Sequence, residues 1–110
     1  MIQVRKACLE TLDVLRERSI HNNITYLKPR HILPFFYYFL QDQSGKIRRM
    51  AMKSIYAFGP QGELIFIEGL TKDRSAVIRA QCAKGLGLYG PKSFRALLFG
   101  LRDVEETVRE

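Results

Sequence analysis

The sequence predicts an all-α chain built from stacked helical hairpins, and three observations carry the prediction. A tetrapeptide recurs: Ala57 to Pro60 reads AFGP and Leu88 to Pro91 reads LYGP, 31 residues apart. An aliphatic residue followed by arginine recurs with it, at Val4-Arg5, Ile47-Arg48, Ile78-Arg79 and Val108-Arg109, in steps of 43, 31 and 30. Between these anchors the apolar residues return at intervals of three and four, the period of one helix face. A unit of this size cannot bury its own apolar face, so repeated units stack on one another as a solenoid.

The anchors divide the chain into a partial unit at 2–18, an insertion or loop at 19–31, units at 32–59 and 60–90, and a partial unit at 91–110. Each full unit is a hairpin of a first and a second helix. The second helices carry Ile47, Ala51, Ile55 and Phe58, then Ile78, Cys82, Leu86 and Tyr89; Val4, Cys8 and Leu12 fit the same register more loosely. They are expected to open after Asp42 and Ser44, after Asp73 and Ser75, and after Asp103, whose side-chain oxygens suit free backbone amides. They are expected to close at Gly59-Pro60 and Gly90-Pro91, where glycine accepts a positive φ and proline starts the next helix.

The first helices are read at about 60–70 and 91–101, with an equivalent near 32–40 that contains PFFYYFL. This aromatic run has the look of a strand, but Leu40 falls 30 residues before Leu70, and Leu70 falls 31 before Leu101. Register therefore assigns it to a helix.

Composition agrees with a folded helical domain. In 110 residues, 46% are hydrophobic, which argues against disorder. No run approaches the ~18 apolar residues of a membrane span, and Glu10 and Asp13 interrupt any signal-like stretch at the start. The expected location is intracellular and cytoplasmic, with the nucleus left open. Cys8 and Cys82 share the slot of Ala51, a small buried position, and with His21 and His31 alone beside them no metal site of ordinary spacing forms.

The spacing resembles HEAT repeats. In each unit the aliphatic-arginine pair is followed three residues later by Cys8, Ala51 or Cys82. Leu12, Ile55 or Leu86 comes four further on, and the first helices end in Leu40-x-Asp42, Leu70-x-x-Asp73 and Leu101-x-Asp103. The period of about 31 is most similar to the short HEAT-like class first described in phycobilisome lyases. The resemblance implies a right-handed α-α superhelix. It also implies a structural ladder between units, in which the turn aspartates Asp42, Asp73 and Asp103 meet the arginines Arg48, Arg79 and Arg109. It further implies a concave surface lined by second helices. Both ends of the chain stand in mid-unit, so a fragment of a longer repeat protein is expected.

Other patterns point nowhere sharper. Gly85-Leu-Gly87-Leu-Tyr-Gly90 copies a dinucleotide-binding fingerprint, but it lies at a helix end without the strand that mechanism needs. Gly85 and Gly87 are instead expected to allow close helix packing. Asn23-Ile24-Thr25 matches a glycosylation acceptor, which matters only in a secreted chain. No nucleophile-base pattern is present, so no catalytic residue and no cofactor are assigned, and a place in a HEAT-like lyase or other enzyme subunit is the least favoured reading.

Charge is the remaining signal. The net charge is +7, and residues 1–60 carry ten Lys or Arg against four acids while 61–110 carry eight against seven. On the expected outward face stand Lys6, Arg49, Lys53, Tyr56 and Lys84, interrupted in the first unit by Glu10 and Asp13. Two functions fit: a non-catalytic scaffold that docks an acidic protein segment on these residues, or, as the alternative, a binder of nucleic-acid phosphates.

Overall fold

The computed structural model describes residues 1–21 and 28–109. Among the described residues there are six α-helices: α1 (Ile2–His21), α2 (Pro29–Tyr38), α3 (Gly45–Tyr56), α4 (Pro60–Lys72), α5 (Ala76–Gly87) and α6 (Phe94–Arg109). Short 3-10 turns at Phe39–Gln41 and Gly90–Ser93 follow α2 and precede α6. Among the described residues no helix is long and apolar enough to cross a membrane.

The 31-residue period is present in the turns bond for bond. Before α3, the Ser44 hydroxyl accepts from the Ile47 amide at 3.4 Å and the Asp42 carboxylate accepts from the Ser44 amide at 2.9 Å. Before α5, Ser75 accepts from Ile78 at 3.3 Å and Asp73 accepts from the Ser75 amide at 2.8 Å. In both turns an arginine six residues after the aspartate donates to two main-chain carbonyls. Arg48 reaches those of Asp42 and Gln43, and Arg79 those of Asp73 and Arg74. These bonds satisfy backbone groups that a helix terminus leaves without partners.

The hairpin closures repeat as well. Gly59 and Gly90 have φ of 66° and 80°, a region that side chains beyond glycine rarely enter. Pro60 then occupies the first turn of α4, where its missing N–H costs nothing.

The core runs through the middle of the molecule. Ile47, Ala51 and Ile55 of α3, Phe66 of α4, and Cys82 and Leu86 of α5 are fully buried together with Leu9, Phe36 and Leu40. Among the described residues α4 and α5 share the most extensive helix contact. There Gly85 removes the Cβ that would otherwise run into the Phe66 ring, as close packing requires.

Several expectations are corrected. α1 extends to His21 and α2 begins at Pro29, so helix takes both ends of the expected 19–31 insertion; 22–27, with Asn23-Ile24-Thr25, lie outside the described residues. α6 runs through Asp103 without a break. Asp42 and Asp73 are each followed two residues later by a capping serine, whereas Asp103 is followed by Val104-Glu105, so nothing there starts a new helix. Cys8 is exposed, and the residue of α1 that is fully buried is its neighbour Leu9. Gly87 has nothing within 4 Å of its Cβ position and plays no packing role.

Candidate interaction surface

α3 presents opposite chemistries on its two sides because its apolar residues recur at helical spacing. With Ile47, Ala51 and Ile55 turned inward, Arg49, Lys53 and Tyr56 share the exposed side at the i, i+4 and i+7 positions. Lys84 stands on α5 at the repeat position of Lys53 and is likewise exposed. Lys6 differs: it is half-buried, and its ammonium lies 3.8 Å from the Glu10 carboxylate. Asp13 lies 3.5 Å from the Arg16 guanidinium, so α1 largely neutralises its own charges, whereas α3 carries four cations and α5 two with no acid on either.

Tyr56 is held in place by a residue that the sequence analysis placed in the helix register but not in the site. Its ring meets that of Tyr89 edge to face, with centroids 4.8 Å apart and planes at 72°. Tyr89 is fixed in turn, because its hydroxyl donates to the Gly59 carbonyl at 2.8 Å and its ring sits 6.2 Å from that of Phe66. Burial, with Glu63 and Tyr56 nearby, pushes the Tyr89 hydroxyl up to about 12, so it stays a neutral donor. Lys92 completes the cluster with its ammonium 5.2 Å from the Tyr89 ring centroid, in cation-π range. The sequence did carry a signal for Tyr89, which stands opposite Phe58 in the AFGP and LYGP repeats; Lys92 had none beyond its place after Pro91.

The expected ladder residues stand beside a further arginine, Arg5, that the sequence analysis did not include among them. Arg48 and Arg79 bond the carbonyls of their own turns, as described above. The Asp42 carboxylate is instead taken by Arg5, whose Nη2 donates to Oδ1 at 3.2 Å while its Nε lies 2.6 Å from Oδ2. A two-point guanidinium contact suits a carboxylate, and this one links α1 to the turn before α3. Burial alone would raise the Asp42 pKa, but the Ser44 amide and the Arg5 guanidinium, with Arg48 close by, hold it below the ordinary carboxylate value. At Asp73 the second oxygen accepts from the Tyr37 hydroxyl at 2.7 Å, which links α2 to the turn before α5. That bond and the burial of the phenol push Tyr37 upward. The side chains of Asp103 and Arg109 lie outside the described residues.

Among the described residues no three His, Cys, Asp or Glu side chains converge as a metal site would require. What the arrangement does offer is spaced cations beside a braced tyrosine. Compared with known proteins, the chain matches no family model, no curated protein and no solved structure.

Proposed function

We propose that this chain is a non-catalytic, intracellular interaction module, a right-handed superhelix of HEAT-like hairpins that binds an acidic protein segment through α3 and α5. The observation that supports the reading best is Tyr56: it is 41% exposed yet braced by Tyr89, with Arg49 and Lys53 on the same helix side. A tyrosine already ordered in the free protein loses little side-chain entropy on binding, and Tyr and Arg are the residue types that anchor interfaces. Arg49, Lys53 and Lys84 would then steer acidic residues to it. Neither a reaction nor a cofactor is part of this reading.

A second reading uses the same residues on nucleic-acid phosphates, and the net charge of +7 with an available tyrosine ring favours it. Fluorescence anisotropy separates the two. A labelled Asp/Glu-rich peptide containing one aromatic residue, single-stranded RNA and duplex DNA are titrated at about 50 and about 200 mM salt, a range over which several phosphate contacts cost on the order of a hundredfold or more. The protein reading expects saturable peptide binding that is lost in the Arg49→Glu, Lys53→Glu, Lys84→Glu variant and weakened by Tyr56→Ala. Tight nucleic-acid binding with a steep salt dependence and no peptide binding would replace it with the second reading. Peptide binding unchanged in the triple variant would remove this surface from consideration.

A further inference from the structure

α2 and α4 are the first helices of neighbouring hairpins, and each packs on its own second helix. Among the described residues they share no extended contact with one another. The space between them is a groove in two parts. One, of about 560 Å³, opens between the starts of the two helices and takes in Lys28, Arg30 and Leu64; the other, of about 370 Å³, lies toward their ends and takes in Tyr37, Glu68, Lys72 and Asp73. Leu33, Pro34 and Ile65 line both parts, so the groove is continuous and its middle is apolar. At ~1.5 Å per helical residue the lining stretches of α2 and α4 run for roughly 12–16 Å, the length of about five residues of extended chain.

The groove is formed before anything enters it. At its far end the Tyr37 hydroxyl donates to Asp73 at 2.7 Å and lies 2.8 Å from where a Cβ on Gly69 would stand, so the phenol is fixed in a space that glycine leaves for it. At its near end Pro34 stands inside α2 without an N–H, and the Arg30 carbonyl four residues earlier receives no helical bond from it; both residues line the groove. Charge then gives the groove a direction. Lys28 and Arg30 are exposed at one end, and Glu68 is exposed beside Asp73 at the other, where Lys72 offsets one of the two carboxylates. Among the described residues Lys28, Arg30 and Glu68 make no ion pair. The two helices run the same way along the groove, so their dipoles add to this polarity.

We propose that the groove between α2 and α4 takes an extended peptide segment of a partner protein, with Asp or Glu facing Lys28 and Arg30, an apolar side chain on Leu33, Pro34 and Ile65, and Lys or Arg facing Glu68. Alternate side chains of an extended chain point the same way, so these three residues occupy alternate positions of the segment. A peptide matches all of the features together: its N–H groups suit the Arg30 carbonyl, its apolar residue suits the middle, and its two opposite charges suit the two ends. An amphiphile with a single charged head answers only one end. Because the walls are already fixed, little ordering of the protein opposes binding. The groove shares no lining residue with the basic surface on α3 and α5, and the inference does not rest on the proposed function.

Selection from a random-peptide display library against the whole chain tests this. Enriched sequences are expected to carry an acidic, an apolar and a basic residue at alternate positions, and the labelled consensus peptide to bind saturably in fluorescence anisotropy. Glu68→Lys is expected to weaken that peptide on the order of tenfold or more, and a peptide whose basic residue is changed to Glu to bind this variant more tightly than it binds the wild type. Lys28→Glu with Arg30→Glu is expected to do the same for a peptide whose acidic residue is changed to Lys. The regained binding guards against misfolding, and all three positions are exposed. The Arg49→Glu, Lys53→Glu, Lys84→Glu variant is expected to bind the consensus peptide as the wild type does, which separates the groove from the surface on α3 and α5. An absence of enriched peptides, or enriched peptides without this placement of charges, overturns the proposal. So does a consensus peptide that binds both groove variants unchanged, or one whose lost binding no exchanged peptide restores. Saturable binding of decanoate where no peptide binds overturns it too, and assigns the groove to a single-headed amphiphile.

Discussion

Asp42 shows how much one side chain can organise. Its carboxylate, 7% exposed, accepts the Ser44 amide and Nη2 of Arg5 and is ion-paired with the Arg5 Nε, so it orders the turn before α3 and fastens α1 to it. The lowered pKa means that the folded state prefers the charged form more than the unfolded chain does. The stabilisation is therefore complete above the unfolded value of about 4 and fades as pH falls through the lower folded value. Asp42→Asn keeps an acceptor for Ser44 but leaves the Arg5 guanidinium without its counter-charge. Urea melts are expected to show it less stable than wild type by about 1–3 kcal/mol at pH 7, with the difference shrinking toward pH 3 and below. A difference independent of pH would mean that Arg5 does not act through charge. The sequence pointed to Asp42 and to an arginine ladder between units, but the arginines it named were Arg48, Arg79 and Arg109. Choosing between Arg5 and Arg48 needs the tilt of α1, which no local pattern contains.

At the scale of elements, the repeat was legible where it is written twice and illegible where it is written once. The Asp-x-Ser turns and the Gly-Pro closures each occur as a pair, and both pairs fold as their residue types require. The aromatic run at 35–39 was assigned to a helix through the register of Leu40 alone, and it folds as the end of α2 and the 3-10 turn after it. At Asp103 the aspartate is present without its serine, and the helix runs on. The glycines of α5 separate packing from propensity. Gly85 lies against the Phe66 ring, so Gly85→Ala overfills the contact and is expected to cost about 1–3 kcal/mol. Gly87 stands two residues along in the same helix with open space at its Cβ position. Gly87→Ala is expected to stabilise by about 0.5–1 kcal/mol, since only the conformational freedom of the unfolded chain changes. Thermal melts of the two variants should move in opposite directions, and a shared direction would show that the α4 and α5 contact is not as close as described.

Over the whole molecule, the alternation of buried and exposed residues along α3 ties stability to the interaction surface. The candidate surface was legible as a set of residues, since Arg49, Lys53, Tyr56 and Lys84 are all exposed. Its bracing was not, because the contact between Tyr56 and Tyr89 joins residues 33 positions apart in different repeats. The burial that turns these residues outward comes from Ile55 and Leu86, both 0% exposed and placed in adjoining units. Ile55→Asp or Leu86→Asp would put a carboxylate in the shared core, and an unpaired buried charge costs several kcal/mol. Against the ~5–15 kcal/mol by which domains are ordinarily stable, that is enough to unfold much of the chain at room temperature. Lys53→Asp, two residues from Ile55 but on the exposed side, is expected to change stability by less than about 0.5 kcal/mol. Circular-dichroism melts of the three variants check the register of the entire repeat. If Lys53→Asp melts as wild type while Ile55→Asp and Leu86→Asp lose helicity together, both units turn the same face inward. If either core variant keeps the wild-type melt, its unit is rotated from the arrangement described and the exposed cations no longer share one side.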